Sequence, residues 1–183
     1  PRPVRPYYTK KVVVMGPESV GKSTLMKKLA VHYDTYYVEE YGRTYTELSG
    51  THSISNQDFI NIAEGQVELI EKTINKGEKV IFVDTEAMTT KIFGEMYLGN
   101  EFDPTNINKI IKNQKFDLYL LLDIDVPWVD DGTREFPHAR VEHFERIKKE
   151  LTDNNISYVL ISGDYNERFE KAVKEVDKLG YLY

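Results

Sequence analysis

The sequence predicts a layered α/β fold: a central parallel sheet of about five strands, helices on both faces and a small lid. Three observations predict it. Short, near-continuous apolar runs recur along the chain, amphipathic stretches with helical spacing separate them, and a glycine-containing octapeptide joins the first run to the first such stretch. Strands apolar at successive positions are buried on both sides, which a parallel sheet needs and an open antiparallel one does not.

The elements follow in order. Residues 1–10 read as a linker, proline-rich (Pro1, Pro3, Pro6) and basic (Arg2, Arg5, Lys10). The remainder, 11–183, reads as a single domain. Val12-Val13-Val14-Met15 is a buried strand, and Thr24 to Val31 a helix with Leu25, Met26 and Leu29 on one face. Tyr36-Tyr37-Val38-Glu39 is a short strand. Asp58 to Asn75 is a long helix, with Phe59, Ile62, Ala63, Val67, Ile70 and Ile74 at three- and four-residue intervals, Asn56 as its cap and Gly77 as its stop. Lys79 to Val83 is a strand ending at Asp84. Asp117 to Ile124 and Ser157 to Ile161 are two more, and Glu167 to Leu179 is a closing helix ended by Gly180. The span 128–141 reads as the lid.

The octapeptide Gly16-Pro17-Glu18-Ser19-Val20-Gly21-Lys22-Ser23 matches G-x-x-x-x-G-K-[ST]. Between a strand and a helix it is a phosphate-binding loop, which makes the fold a three-layer P-loop NTPase type. The glycines let successive N–H groups converge on phosphate oxygens. Gly16, Glu18, Ser19, Val20, Gly21, Lys22, Ser23 and Thr24 are accordingly the residues expected around ATP. The helix N-terminus adds positive partial charge, Lys22 a cation for the outer phosphates, and Ser23 a hydroxyl for Mg²⁺.

In open parallel sheets ligands bind beyond the carboxyl ends of the strands, and the distinctive polar residues fall there. Asp84, in Asp84-Thr85-Glu86, is placed to hold Mg²⁺ or to take a proton from an acceptor hydroxyl; capping a helix is its other use. Glu40, Tyr41 and Arg43, after the second strand, suit a sugar or base. Trp128, Asp130, Asp131 and Arg134 follow the fourth strand, with Arg140 beyond. A loop there can close over the transferred phosphoryl group, and Arg134 and Arg140 can neutralise its charge. The tryptophan serves either as a stacking platform or as a core aromatic. Tyr165 and Arg168, after the last strand, can border adenine, and Asp164 or Asn166 can cap the final helix. His32, His52, His138 and His143 show no metal-ligand spacing.

Composition narrows the classes. With 24 Lys+Arg against 30 Asp+Glu, net charge −6, no basic field draws the chain to nucleic acid. No cysteine is present, so disulfides, thiolate metal sites and cysteine nucleophiles are excluded. No apolar run nears the ~18 residues that cross a bilayer, and nothing reads as a signal peptide. The cytosol is the expected compartment.

Taken together, Gly-Pro-Glu-Ser-Val-Gly-Lys-Ser, Glu-Tyr-Gly-Arg, the strand running into Asp84-Thr85-Glu86, and Trp-Val-Asp-Asp-Gly-x-Arg resemble the ribosylnicotinamide kinase domain of NadR-type NAD-salvage proteins, from about Arg5 onward and in the same order. The resemblance implies transfer of the ATP γ-phosphate to the 5′-hydroxyl of nicotinamide riboside. It implies Asp84 as base with Glu40 as the weaker alternative, Lys22 and Ser23 on phosphates and Mg²⁺, Trp128 with Asp130 or Asp131 on the riboside, and Tyr165 on a heterocycle. Family members are often fused to a nucleotidyltransferase with a His-x-Gly-His signature; this sequence contains no such signature. Glu86 stands where the family pattern leads one to expect a second Asp. The rivals are a deoxynucleoside or thymidylate kinase, and a triphosphate-operated switch, although Asn108-Lys109-Ile110-Ile111 lacks the acid of a guanine reader. A homo-oligomer is compatible with the sequence.

Overall fold

The computed structural model describes residues 8–50, 53–127 and 137–180. Its elements are β1 (Lys10–Met15), α1 (Lys22–His32), β2 (Tyr37–Val38), α2 (Tyr41–Ser49), α3 (Asn56–Ile74), β3 (Val80–Asp84), α4 (Ala87–Leu98), a 3-10 turn (Gly99–Glu101), α5 (Thr105–Asn113), β4 (Leu118–Leu122), α6 (Pro137–Asp153), β5 (Val159–Ile161) and α7 (Tyr165–Asp177).

The strands form one five-stranded sheet in the order β2-β3-β1-β4-β5. Every pairing is parallel, with Val12 opposite Phe82 and Leu118, and Val14 opposite Asp84 and Leu120. Alternate residues of the central strands supply two separate cores. Val13, Met15, Ile81, Val83 and Leu121 pack under α3, α4, α5 and α6. Val12, Val14, Phe82, Leu120 and Leu122 pack against α1 and α7. That division explains why the strands read as unbroken apolar runs: both faces are dry.

Several boundaries differ from the sequence reading. Helix α3 is capped by Ser55, not Asn56. The Ser55 side chain accepts from the Asp58 N–H while Asp58 reaches back to the Ser55 N–H, a reciprocal box that the spacing allows. The Asn56 side chain instead accepts the Asp103 N–H at 2.9 Å. Helix α7 begins at Tyr165, two residues earlier than expected, because Asp164 and Glu167 form the same kind of box. Of the span 128–141 read as a lid, residues from Pro137 onward are the opening turns of α6.

Candidate functional site

The loop between β1 and α1 follows its motif closely. Gly16 has φ 151, and a Cβ there would come within 2.9 Å of Val20 Cγ2 and 3.3 Å of the Leu122 carbonyl. Ser19 and Gly21 take φ values of 61 and 89, the left-handed region that curls amides toward a common centre. Gly21 caps α1 without a side-chain hydrogen bond, and no acid lies in the first turn, so no side chain competes with an anion for those N–H groups. Lys22 arches back over the loop, its Nζ donating to the carbonyls of Gly16 at 2.8 Å and Pro17 at 2.7 Å. Thr24 is exposed on the next step of the helix.

Asp84 closes β3 with its carboxylate between two hydroxyls. Thr85 Oγ1 donates to Oδ1 at 3.0 Å, and Ser23 Oγ to Oδ2 at 3.4 Å. The Ser23–Asp84 pair presents hard oxygen donors side by side, the chemistry magnesium prefers; phosphate oxygens and water ordinarily complete its shell. Among the described residues no cluster of three acids or histidines offers a metal cage of its own. The capping alternative for Asp84 is resolved: Glu86 caps α4, accepting from Met88 N–H at 2.9 Å and Thr89 N–H at 3.3 Å. Burial pushes the Glu86 carboxyl up to about 7. Thr85 lies between them at φ 70, a strained conformation for a β-branched residue.

A cleft of about 550 Å³ opens next to the loop, with Glu18 contributing to its wall. Glu40, Arg43, Thr46, Glu47, Gln66, Thr85 and Thr90 supply the rest of its polar lining, and Phe59, Phe93 and Tyr97 its aromatic rings. Glu40 precedes α2 as its cap residue yet makes no side-chain cap bond. Burial raises its pKa, the nearby Lys22 and Arg43 oppose the rise, and Asp84 and Glu18 reinforce it. Arg43 is exposed at the rim.

Three further expected residues, Tyr41, Arg168 and Arg140, are engaged within the protein itself. Tyr41 is turned away from this cleft: its ring sits over Gly65 of α3, in the space a Cβ there would take. Arg168 is 1 % exposed and its guanidinium is spent on protein acceptors. It donates to Gly163 O at 2.8 Å, Val20 O at 2.6 Å and Asp123 O at 3.1 Å, and it pairs with Asp125. It therefore braces the phosphate loop against the ends of β4 and β5. Arg140 is likewise buried, its Nη2 donating to Ile124 O at 2.6 Å and Val126 O at 2.7 Å. Tyr165 is exposed, with its ring edge 3.2 Å from where a Cβ on Gly21 would lie, beside the phosphate loop. Trp128, Asp130, Asp131 and Arg134 fall outside the described residues.

The sequence reading missed Gln66, Thr85, Thr90, Phe93 and Tyr97; Phe59 and Ile62, read as core positions on helix α3, are buried and also line the cleft. Two signals were present: an amide inside an apolar stripe, and a glycine (Gly65) inside a helix. His143, one of the four histidines without metal-ligand spacing, is buried against Phe93 with ring centroids 4.8 Å apart.

Comparison with known proteins bears on this arrangement. A family described as an AAA domain matches residues 11–168. The trifunctional NAD biosynthesis/regulator protein NadR of Escherichia coli (strain K12) is 35% identical over 185 aligned positions, covering 98% of this chain and 45% of that protein. The chain thus spans about half the length of the curated relatives it matches. Among solved structures, a NadR protein in complex with NR superposes with TM-score 0.81 at 25% identity, covering 96% of this chain and 52% of that one. Thymidylate kinase from Candida albicans has TM-score 0.63 at 18% identity, with 93% and 92% of the two chains covered, a likeness of fold.

Proposed function

We propose, because this chain belongs to the AAA-domain family and is homologous to the NadR proteins, that it uses ATP to phosphorylate the 5′-hydroxyl of nicotinamide riboside, giving nicotinamide mononucleotide. The fold is that of the P-loop kinases. The observation that carries the reading is the acid-and-aromatic cleft joined to the phosphate loop through Glu18. A pyridinium nucleoside is cationic and flat, so it favours carboxylates such as Glu18, Glu40 and Glu47 and aromatic faces such as Phe59, Phe93 and Tyr97.

In this reading the amides of 16–23 and Lys22 hold the phosphates, and Lys22 exchanges its loop carbonyls for phosphate oxygens. Ser23 and Asp84 hold Mg²⁺, which neutralises phosphate charge when bound. Glu40 takes the proton of the acceptor hydroxyl: burial raises its pKa, and the Asp84 carboxylate is engaged by Ser23 and Thr85. The acceptor oxygen bonds to the γ-phosphorus, the bond from that phosphorus to the β–γ bridging oxygen breaks, and the electron pair leaves with ADP. Arg168 acts through the carbonyl of Val20, Arg140 holds the chain after β4 through the carbonyls of Ile124 and Val126, Tyr165 borders adenine, and Trp128, Asp130, Asp131 and Arg134 serve closure over the acceptor. A cytosolic setting, where ATP and Mg²⁺ are held, goes with this reading.

A second reading has one observation in its favour. Arg43 at the rim is the one cation among the described residues lining the cleft, and a monophosphate acceptor such as thymidylate needs one. An acceptor panel with Mg-ATP, products identified by mass, tests both. Turnover confined to nicotinamide riboside is expected; preference for thymidine or thymidylate would replace the first reading with the second, and slow hydrolysis without transfer would point to a switch.

A further inference from the structure

Gln66 interrupts the apolar stripe of α3. Its neighbours on that stripe are Ile62, Ala63 and Ile70, and Gln66 itself is only 3 % exposed. An amide buried there loses its hydration, so the position is tolerated only when its hydrogen bonds are made. Both ends are used. Oε1 accepts the Tyr41 N–H at 2.7 Å, and Nε2 donates to the Asp84 carbonyl at 3.2 Å.

Those two partners have particular addresses. The Tyr41 N–H opens α2, where helix geometry leaves donors without intrahelical acceptors, and it follows Glu40 directly. The Asp84 carbonyl closes β3, immediately before the strained Thr85. One planar amide therefore ties the N–H of the residue that follows Glu40 to the main-chain carbonyl of Asp84, the two acids the proposed transfer uses. The preceding residue, Gly65, seats the Tyr41 ring on the same helix by leaving the space a Cβ would take. Adjacent positions of α3 thus hold the start of α2 by its ring and by its N–H.

We infer that Gln66 is a positioning residue for phosphoryl transfer, setting the spacing between Glu40 and Asp84 rather than acting on substrate atoms. The inference rests on the kinase reading above. A displacement of an ångström between a proton acceptor and the phosphate site costs on the order of 10²-fold in rate, so an amide that spans the two has a kinetic consequence.

The test compares wild type, Gln66→Leu and Gln66→Glu in steady-state transfer from Mg-ATP to nicotinamide riboside, with calorimetric titration of a non-hydrolysable ATP analogue. Gln66→Leu keeps the volume and loses both bonds. Its expected kcat is about 10²-fold lower, with acceptor KM and analogue Kd each within about threefold of wild type. Gln66→Glu keeps an acceptor for Tyr41 and recovers a donor for Asp84 only when protonated, so its kcat relative to wild type rises as pH falls from about 8 to about 6. A merely structural role would leave those pH profiles parallel, and parallel profiles would overturn the inference. So would wild-type kcat in Gln66→Leu, or a loss confined to acceptor KM. Should Gln66→Leu fail to fold, the Gln66→Glu ratio decides alone. Wild type separates the two levels: transfer by wild type with an unaffected Gln66→Leu sinks only this inference, whereas a wild type that phosphorylates no nucleoside sinks the kinase reading and this inference with it.

Discussion

The phosphate side and the proposed acceptor side of the site are built on opposite plans. On the phosphate side one contiguous segment, 16–23, supplies the amides, the cation and the hydroxyl, and the sheet behind it holds the curvature through Gly16 against Leu122. On the acceptor side the lining comes from the phosphate loop, α2, α3, the turn after β3 and α4, residues far apart along the chain. A local anion cradle is assembled by backbone geometry, which short sequence can encode. A pocket for a particular nucleoside is assembled by side chains from several helices, which only packing can bring together.

The contrast can be broken first at Lys22. Lys22→Ala removes the phosphate cation but no core contact, so turnover should fall by at least about 10³-fold while the melting temperature stays near wild type. A variant that loses turnover only in proportion to lost stability would mean that the lysine is holding the loop together through Gly16 and Pro17 instead. Glu40→Gln tests the other side: about 10³-fold lower kcat is expected, with analogue binding little changed and the acid limb of the kcat profile gone. If Asp84→Asn removes that limb and Glu40→Gln does not, the roles of the two carboxylates are reversed.

Two buried titratable groups set a smaller, pH-dependent test on the acceptor side. Glu86 has its carboxyl raised by burial from 4.5 to about 7, so the folded state binds more protons and stability contributed there falls as pH rises between those values. His143 is lowered, by burial first and by the Lys22 charge second, from 6.5 to about 4, so its contribution rises with pH over that range. The two trends oppose each other in wild type. Glu86→Gln should therefore gain on wild type by about 3 kcal/mol between roughly pH 4.5 and 7, and His143→Leu should show the reverse difference between roughly pH 4 and 6.5. Denaturant midpoints measured across that range check it, and difference profiles that stay flat would show that neither group is shifted. The smallest effect is expected at Gly65→Ala, about 1 kcal/mol of net destabilisation, since displacing the Tyr41 ring outweighs the gain in helix propensity. Acceptor kinetics should suffer there while ATP binding does not; equal loss of both would dissolve the distinction between the two sides.

Legibility followed the same division. The strand cores were readable because burial on both faces leaves an unbroken apolar string, and the ends erred by a residue or two where pairing stops. The cap of α3 was misplaced by one residue because Ser55 and Asn56 are both good caps in isolation; the reciprocal bond with Asp58 chose between them. Arg168 looked like a nucleotide ligand because it follows a strand end near Tyr165, yet its guanidinium faces inward to Val20, Gly163 and Asp125, a direction that periodicity does not carry. Phe59 and Ile62 are buried as their stripe predicts, and both also line the cleft, a second use that the same string of letters does not distinguish.

By itself the sequence determined the parallel sheet, the phosphate cradle between its first strand and helix, and the carboxylate at the end of β3, because each depends on short-range periodicity or on glycine at a backbone that needs it. Only the tertiary structure decided that Glu86 caps α4 and so frees Asp84, that burial raises the pKa of Glu40, and that Gln66 ties the chain beside Glu40 to Asp84. Those are matters of distance between residues remote in sequence and of the water excluded around them, and neither quantity is written in any local run of the chain.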